Sequence, residues 1–198
     1  PFTMHGSLGP SAGAAKWIGD TLTVWCATQA AFRLQVAIAE VFDMPSENVR
    51  VIHTEGAGCY GHNGADDVGL DAALVAREFP NCLVSLKWMR GDEHRWEPYS
   101  SAMILNMQAS LDRDAQIIAW HQDIYSYGHS TRPAGAGGLV ASWHLEKPFT
   151  RQQPRVINGY HFGSHRNADP IYDIPKRIVR YELMDSPLRV SAMRSLGA

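Results

Sequence analysis

Gly56-Ala57-Gly58-Cys59-Tyr60-Gly61-His62-Asn63-Gly64 places four glycines in nine positions. Each glycine permits a positive φ or lets a bulky ligand approach the backbone. The stretch follows a strand-like run, Val49-Arg50-Val51-Ile52-His53-Thr54, and precedes a helix-like run from Asp66 to Phe79. A glycine-rich loop between a strand and a helix offers bare backbone N–H groups to an anionic ligand. Asp66 is expected to cap the following helix, whose apolar positions include Val68, Leu70, Ala72, Ala73, Val75 and Phe79.

Upstream, Thr21–Ala27 is rich in β-formers and reads as a strand. Gln29–Phe42 follows with Phe32, Val36, Ala39 and Val41 near helical spacing, and Asp43-Met44-Pro45 ends that helix. Thr28 is an expected N-cap there, while Gln29 can project its amide from the strand end; spacing alone does not choose between these readings. Downstream, Leu83–Met89 reads as a third strand. Ala102–Leu111 and Gln116–Tyr127 read as long strands joined at Asp112-Arg113-Asp114. Residues 128–175 are rich in Gly, Pro, His, Asn and Arg, and recurring aromatics (Trp143, Phe149, Tyr160, Phe162, Tyr172) mark an ordered excursion. Arg177–Leu183 and Leu188–Val190 return to strand. The predicted class is α+β: strand–helix units, then a β-rich half, with sub-regions of about 1–98 and 99–198.

The 198 residues carry a net charge of −2, are 45% hydrophobic and only 19% charged. A core is easily supplied, and the lack of a basic stripe argues against nucleic acid as a partner. The apolar run Ala30–Ala39 contains Arg33 and Gln35, so it is not a membrane span, and no export signal is visible. Either cytoplasm or periplasm is compatible with this. The three cysteines, Cys26, Cys59 and Cys82, are scattered and form neither a disulfide framework nor a cluster motif. The start at Pro1-Phe2 and the end after Arg194-Ser195-Leu196-Gly197 suggest a segment of something longer.

Gly56-x-Gly58-x-x-Gly61 also fits a dinucleotide fingerprint. Against it, His62-Asn63-Gly64-Ala65 delays the helix, and Asp92 and Glu93 fall well beyond the roughly 20-residue spacing of a ribose-binding acid. Cys59-x-x-His62 is at most half a zinc site, since four ligands are needed. His129-Ser130-Thr131-Arg132 and His161…His165-Arg166-Asn167 are polar loop stretches, and no Gly-x-Ser-x-Gly elbow accompanies them. Arg194, set among small residues at a strand end, is either a solvated charge or an anchor for a carboxylate or a developing oxyanion.

Taken in order, these pieces resemble the molybdopterin-binding subunit of the molybdenum hydroxylases, the family of xanthine dehydrogenase and aldehyde oxidoreductase. The matching pieces are Met4-His-Gly-Ser-Leu-Gly-Pro10, Thr28-Gln29, Val49-Arg50-Val51, Gly56–Gly61, Asp71-Ala-Ala-Leu-Val-Ala76, Lys87-Trp-Met-Arg-Gly-Asp-Glu93 and Ser191-Ala-Met-Arg-Ser-Leu-Gly197. The spelling Gly-Cys-Tyr-Gly-His-Asn-Gly-Ala-Asp-Asp, with His-Ser-Thr-Arg-Pro later, is most similar to the isoquinoline 1-oxidoreductase and nicotinate dehydrogenase branch.

The resemblance implies a molybdenum cofactor, in its cytosine dinucleotide form, held through the pterin with no direct protein–metal bond. It implies a role for the Gln29 amide beside an oxygen ligand of the metal, and for the Tyr60–Gly61 backbone beside the apical oxygen. Gly58 and Met193 complete the implied cofactor-binding set. Arg194 is the implied catalytic residue, orienting substrate and stabilising charge. The implied partners are the remainder of the molybdopterin subunit, an iron–sulfur subunit carrying [2Fe–2S], and a cytochrome, with a small heterocycle or aldehyde as substrate. Two departures narrow this: Gly64 stands where purine-oxidising relatives have Glu, and Ser195 where carbon monoxide dehydrogenases have Cys. None of the glutamates from Glu40 to Glu182 lies in the Gly-Glu setting of the family's catalytic base, so the segment is expected to hold part of a site. A nucleotide-binding domain using Gly56–Gly61, and a non-catalytic piece of the same complex, are the alternatives.

Overall fold

The computed structural model describes residues 1–129, 131–153, 163 and 165–194. The chain divides into two units. The N-terminal unit is Met4–Pro98 with Thr131–Gln153, and the C-terminal unit is Pro1–Thr3, Tyr99–Ser130 and Pro154–Ala198.

The N-terminal unit is built on a four-stranded sheet. Strand β1 (Ala12–Ile18) turns at Gly19-Asp20 into antiparallel β2 (Thr21–Cys26), paired from Gly13 with Cys26 to Ile18 with Thr21. Gly19 takes φ +55°, which suits a tight two-residue hairpin. Helix α1 (Ala31–Val41) then crosses over to β3 (Val49–His53), which lies parallel to β2. Asp43, at φ +50°, and Pro45 follow the end of α1, where the sequence places its stop. Helix α2 (Ala65–Glu78) follows the glycine loop, and β4 (Val84–Lys87) returns to pair antiparallel with β1. The strand order is β3-β2-β1-β4. Period-2 alternation sends Leu22, Val24 and Cys26 of β2 into the core, where they meet Leu34, Ala37 and Ile38 of α1 and Leu70, Ala72, Ala73 and Ala76 of α2.

Three local expectations change. Strand β1 is an addition, because its Ala-rich sequence carries weak β-propensity and gives no strand signal. The short helix α3 (Arg90–Trp96) is another, since seven residues show little periodicity. Its buried Glu93 explains its position: the carboxylate accepts from Ser11 N at 2.7 Å, Ser11 Oγ at 2.9 Å and Arg90 Nη1 at 2.7 Å. Finally, neither expected cap is one. The N-cap of α1 is Ala30, with Thr28 Oγ1 accepting from Ala30 N at 3.0 Å. The N-cap of α2 is Gly64, with Asn63 Oδ1 accepting from Ala65 N at 3.2 Å. Asp66 lies inside the first turn, and its carboxylate is used elsewhere.

In the C-terminal unit, a short strand β5 (Tyr99–Ser100) precedes β6 (Met103–Leu111) and β7 (Ile117–Ser126), which form the expected hairpin. Strand β8 (Lys176–Leu183) runs parallel to β7. Asp112 Oδ1 closes the hairpin turn by accepting from Asp114 N and Gln116 N, both at 2.9 Å. A separate parallel pair joins β5 to β9 (Val190–Ser191). The chain as a whole is α+β, with all three α-helices of the described residues in the N-terminal unit.

Candidate functional site

Cys26, at the end of β2, and His53, at the end of β3, are register partners, so the loops that follow these strands start side by side. Thr54 N donates to Cys26 O at 3.0 Å, and His53 Nδ1 lies 2.7 Å from Thr28 O, which ties the two strand ends together. Gln29 leaves the first of these ends. The glycine loop leaves the second.

Two glycines in the loop are required by conformation: Gly58 at φ +118° and Gly61 at φ +123°. Gly56 is required by space, because a Cβ there would lie 2.6 Å from Ala27 Cβ. The Tyr60 ring folds back over Gly58, where an added Cβ would meet its hydroxyl at 2.7 Å, yet Tyr60 remains 42% exposed. Gly64 is also fixed by packing. A Cβ there would stand 2.4 Å from the Trp88 ring, whose Nε1 donates to Asp71 Oδ2 at 2.8 Å. The indole thus fills the space that a glutamate at position 64 would need.

Beneath the loop lies a charged cluster that reading the sequence missed. Asp66 is fully buried, and Thr28 Oγ1 donates to its Oδ1. His62 Nε2 and Arg132 Nη1 both lie 3.1 Å from its Oδ2. Burial is the largest single influence on the Asp66 carboxyl and pushes its pKa up; His62, Arg132 and Thr28 together outweigh it and hold the group below the usual carboxylate range. Arg132 Nη2 continues outward, donating to Gln29 Oε1 at 3.0 Å and Gly61 O at 3.0 Å. Behind it, Gln152 Nε2 donates to Arg132 O at 3.2 Å. The available signal was a lone arginine in a Gly- and Pro-rich stretch, with nothing local to say what it reaches.

Gln29, Gly58, Tyr60 and Gly61 are therefore gathered in the N-terminal unit, whereas Met193 and Arg194 belong to the C-terminal unit just after β9. The Arg194 side chain is exposed, and Ser195, Leu196 and Gly197 of the same motif lie outside the described residues, as do Ser130, Tyr160, His161 and Phe162. Because arginine donates and never accepts, Gln29 must turn its oxygen toward Arg132. Its amide N–H groups then face away, on an exposed residue.

Two alternative chemistries fit poorly. A pyrophosphate at the start of α2 would meet Asp66 and Asp67, both buried in its first turn, so this helix end is already occupied by negative charge. Among the described residues no three His, Cys, Asp or Glu side chains gather into a metal site. Burial pushes the Cys26 thiol up to about 12, so it is a packing residue and not a nucleophile. Among the described residues no helix is long and apolar enough to cross a membrane.

The chain belongs to the molybdopterin cofactor-binding domain family, whose model matches residues 1–156. A nicotinate dehydrogenase subunit of Pseudomonas putida is 33% identical over 198 residues, covering 100% of this chain and 16% of that protein. The same fold occurs in quinoline 2-oxidoreductase from Pseudomonas putida 86, with TM-score 0.55 and 15% identity, over 68% of this chain and 17% of that one. It occurs also in aldehyde oxidoreductase from Desulfovibrio gigas, with TM-score 0.54 and 13% identity, over 68% of this chain and 15% of that one. The chain thus spans only 16% of the length of the curated relative it matches.

Proposed function

We propose that this chain forms part of the molybdenum-cofactor site of a larger oxidoreductase subunit that hydroxylates an N-heterocycle or oxidises an aldehyde. The observation that carries the reading is the joint fixing of Gln29 and Gly61 by Arg132, within a domain whose family binds molybdopterin. The residues present suit such a group. Gly58 and Gly61 hold positive-φ backbone conformations with no side chain of their own, and Gln29 offers neutral amide donors to oxygen.

In this reading Gln29, Gly58, Tyr60, Gly61 and Met193 would hold the cofactor, taken in its cytosine dinucleotide form. When bound, that group supplies the redox and oxygen-transfer chemistry. The protein's share is positioning. Gln29 would donate hydrogen bonds to an oxygen ligand of the metal, the Tyr60–Gly61 backbone would lie beside another, and Arg194 would orient substrate and stabilise negative charge as it develops. The general base, the rest of the pterin pocket and the electron exit through a [2Fe–2S] partner, then a cytochrome, come from other parts of the complex.

The test is the complete subunit co-expressed with its partners. Molybdenum should be present by elemental analysis, and acid hydrolysis should release cytidine monophosphate. Arg194→Ala should lower kcat/KM by roughly a hundredfold, the scale for losing one charge contact in the transition state. A metal-free protein that binds NAD instead would sink the reading, and a near-normal kcat/KM in the variant would sink the role of Arg194.

A further inference from the structure

We propose that Arg132 is a positioning residue for the cofactor site, holding the Gln29 amide and the Gly61 carbonyl in one arrangement; this rests on the reading of Gln29 as a cofactor contact. One guanidinium serves three acceptors from three places in the sequence. Nη1 reaches Asp66 Oδ2 on α2 at 3.1 Å, and Nη2 reaches Gln29 Oε1 and Gly61 O at 3.0 Å each. The planar fork matters here, because a lysine ammonium on a flexible stem does not reproduce this geometry.

The fork is itself held at both ends. Its charge is matched by Asp66, which is fully buried and also bound by Thr28 Oγ1. Its backbone is pinned by Gln152, whose Nε2 donates to Arg132 O at 3.2 Å while its Oε1 accepts from Ala134 N at 2.9 Å. Gly61 O accepts from Asn63 N at 3.2 Å as well, so this carbonyl is bound down inside the loop.

Two consequences follow for Gln29. A donor-only partner on Oε1 excludes the flipped amide, which would set NH2 against guanidinium. A charge-assisted bond to Oε1 also polarises the amide and strengthens donation from its N–H groups. Arg132 thereby acts through Gln29, without touching substrate.

The test compares Gln29→Ala, Arg132→Met and the double variant in the complete molybdenum-loaded enzyme. The readouts are metal content, the paramagnetic signal of the half-reduced metal, kcat and KM taken separately, and thermal unfolding. Arg132→Met is expected to lower kcat on the order of 10- to 100-fold, the scale for losing a partner that orients a metal-site residue. KM should change little, the paramagnetic signal should move as it does in Gln29→Ala, and the second substitution should add almost nothing to the first. An unaltered signal and kcat in Arg132→Met, full additivity in the double variant, or a lowered melting temperature alone overturns the proposal. If Gln29→Ala itself changes neither signal nor kcat, the reading of Gln29 falls and the inference falls with it. If Gln29→Ala acts and Arg132→Met does not, the inference alone falls. Should Arg132→Met fail to accumulate, Arg132→Lys keeps a positive charge near Asp66 and gives up the fork. An intermediate shift of the signal then supports the proposal, and a wild-type signal overturns it.

Discussion

At the residue scale, His129 is expected to give the C-terminal unit a pH response. It is 6% exposed, and its Nε2 lies 3.1 Å from Ser126 Oγ. Burial pushes its pKa down from 6.5 to about 4, so the folded protein keeps the ring neutral where the unfolded chain would protonate it. Between those two values the unfolded state binds more protons, so stability is lost as pH falls from 6.5 and levels off below about 4. The loss is on the order of 3 kcal/mol. His129→Gln, which can keep a hydrogen bond to Ser126 and carries no charge, is expected to flatten this slope. Hydrogen exchange of the β7 and β8 amides at pH 7 and pH 5 in the complete subunit checks it; equal pH dependence in both proteins would refute the assignment. Asp66 responds at lower pH. Its folded carboxyl sits below the ordinary 3.8, so its contribution is fully present above that value and fades as pH drops through the folded one.

At the scale of elements, the sheet and α2 approach so closely because β1 carries Gly13. A Cβ there would lie 3.1 Å from Val68 O on α2 and 3.4 Å from Trp25 O on β2. The obstructing atoms are backbone, which cannot rotate away as a side chain can. Gly13→Val is therefore a contest between two effects. Valine favours a strand by up to about 1 kcal/mol, while overpacking costs about 1–3 kcal/mol. Overpacking is expected to win, because α2 would have to shift as a body. Urea unfolding should show a lower midpoint with an unchanged m-value, and a raised midpoint would mean that α2 has room to move. At Gly64 the obstacle is instead a side chain, the Trp88 ring, which its bond to Asp71 at 2.8 Å holds in place.

At the scale of the whole molecule, residues 131–153 belong to the same unit as 4–98 although thirty-two residues of the other unit intervene. They supply partners for acids on α1 and α2. Arg132 pairs with Asp66, Val140 N donates to Asp67 Oδ1 at 2.9 Å, Ala136 N donates to Glu40 Oε2 at 2.7 Å, and Leu139 joins the core. Removing one partner of a buried charge costs about 3–5 kcal/mol. Losing the Arg132 partner of Asp66 together with the hydrogen bond to buried Asp67 and Leu139 of the core removes a large share of the roughly 5–15 kcal/mol that stabilises a domain. A fragment ending at Pro98 is thus expected not to fold, whereas one ending at Gln153 should protect the α1 and α2 amides from exchange. A folded 1–98 fragment would show that these contacts are dispensable. The sequence by itself determined the features that depend on near neighbours. These are the strand–loop–helix order around Gly56–Gly64, set by φ demands and periodicity; the stop at Pro45; and the hairpin at Asp112. Together they made both the α+β class and the molybdopterin family legible. Tertiary structure alone decided that β1 joins β4, that Asp66 is a buried counter-charge and not a cap, and that Arg132 reaches Asp66 and Gln29. Those last contacts span 66 and 103 residues, and a pairing over such a distance leaves no local pattern, because its energy comes from shared burial and matched charge.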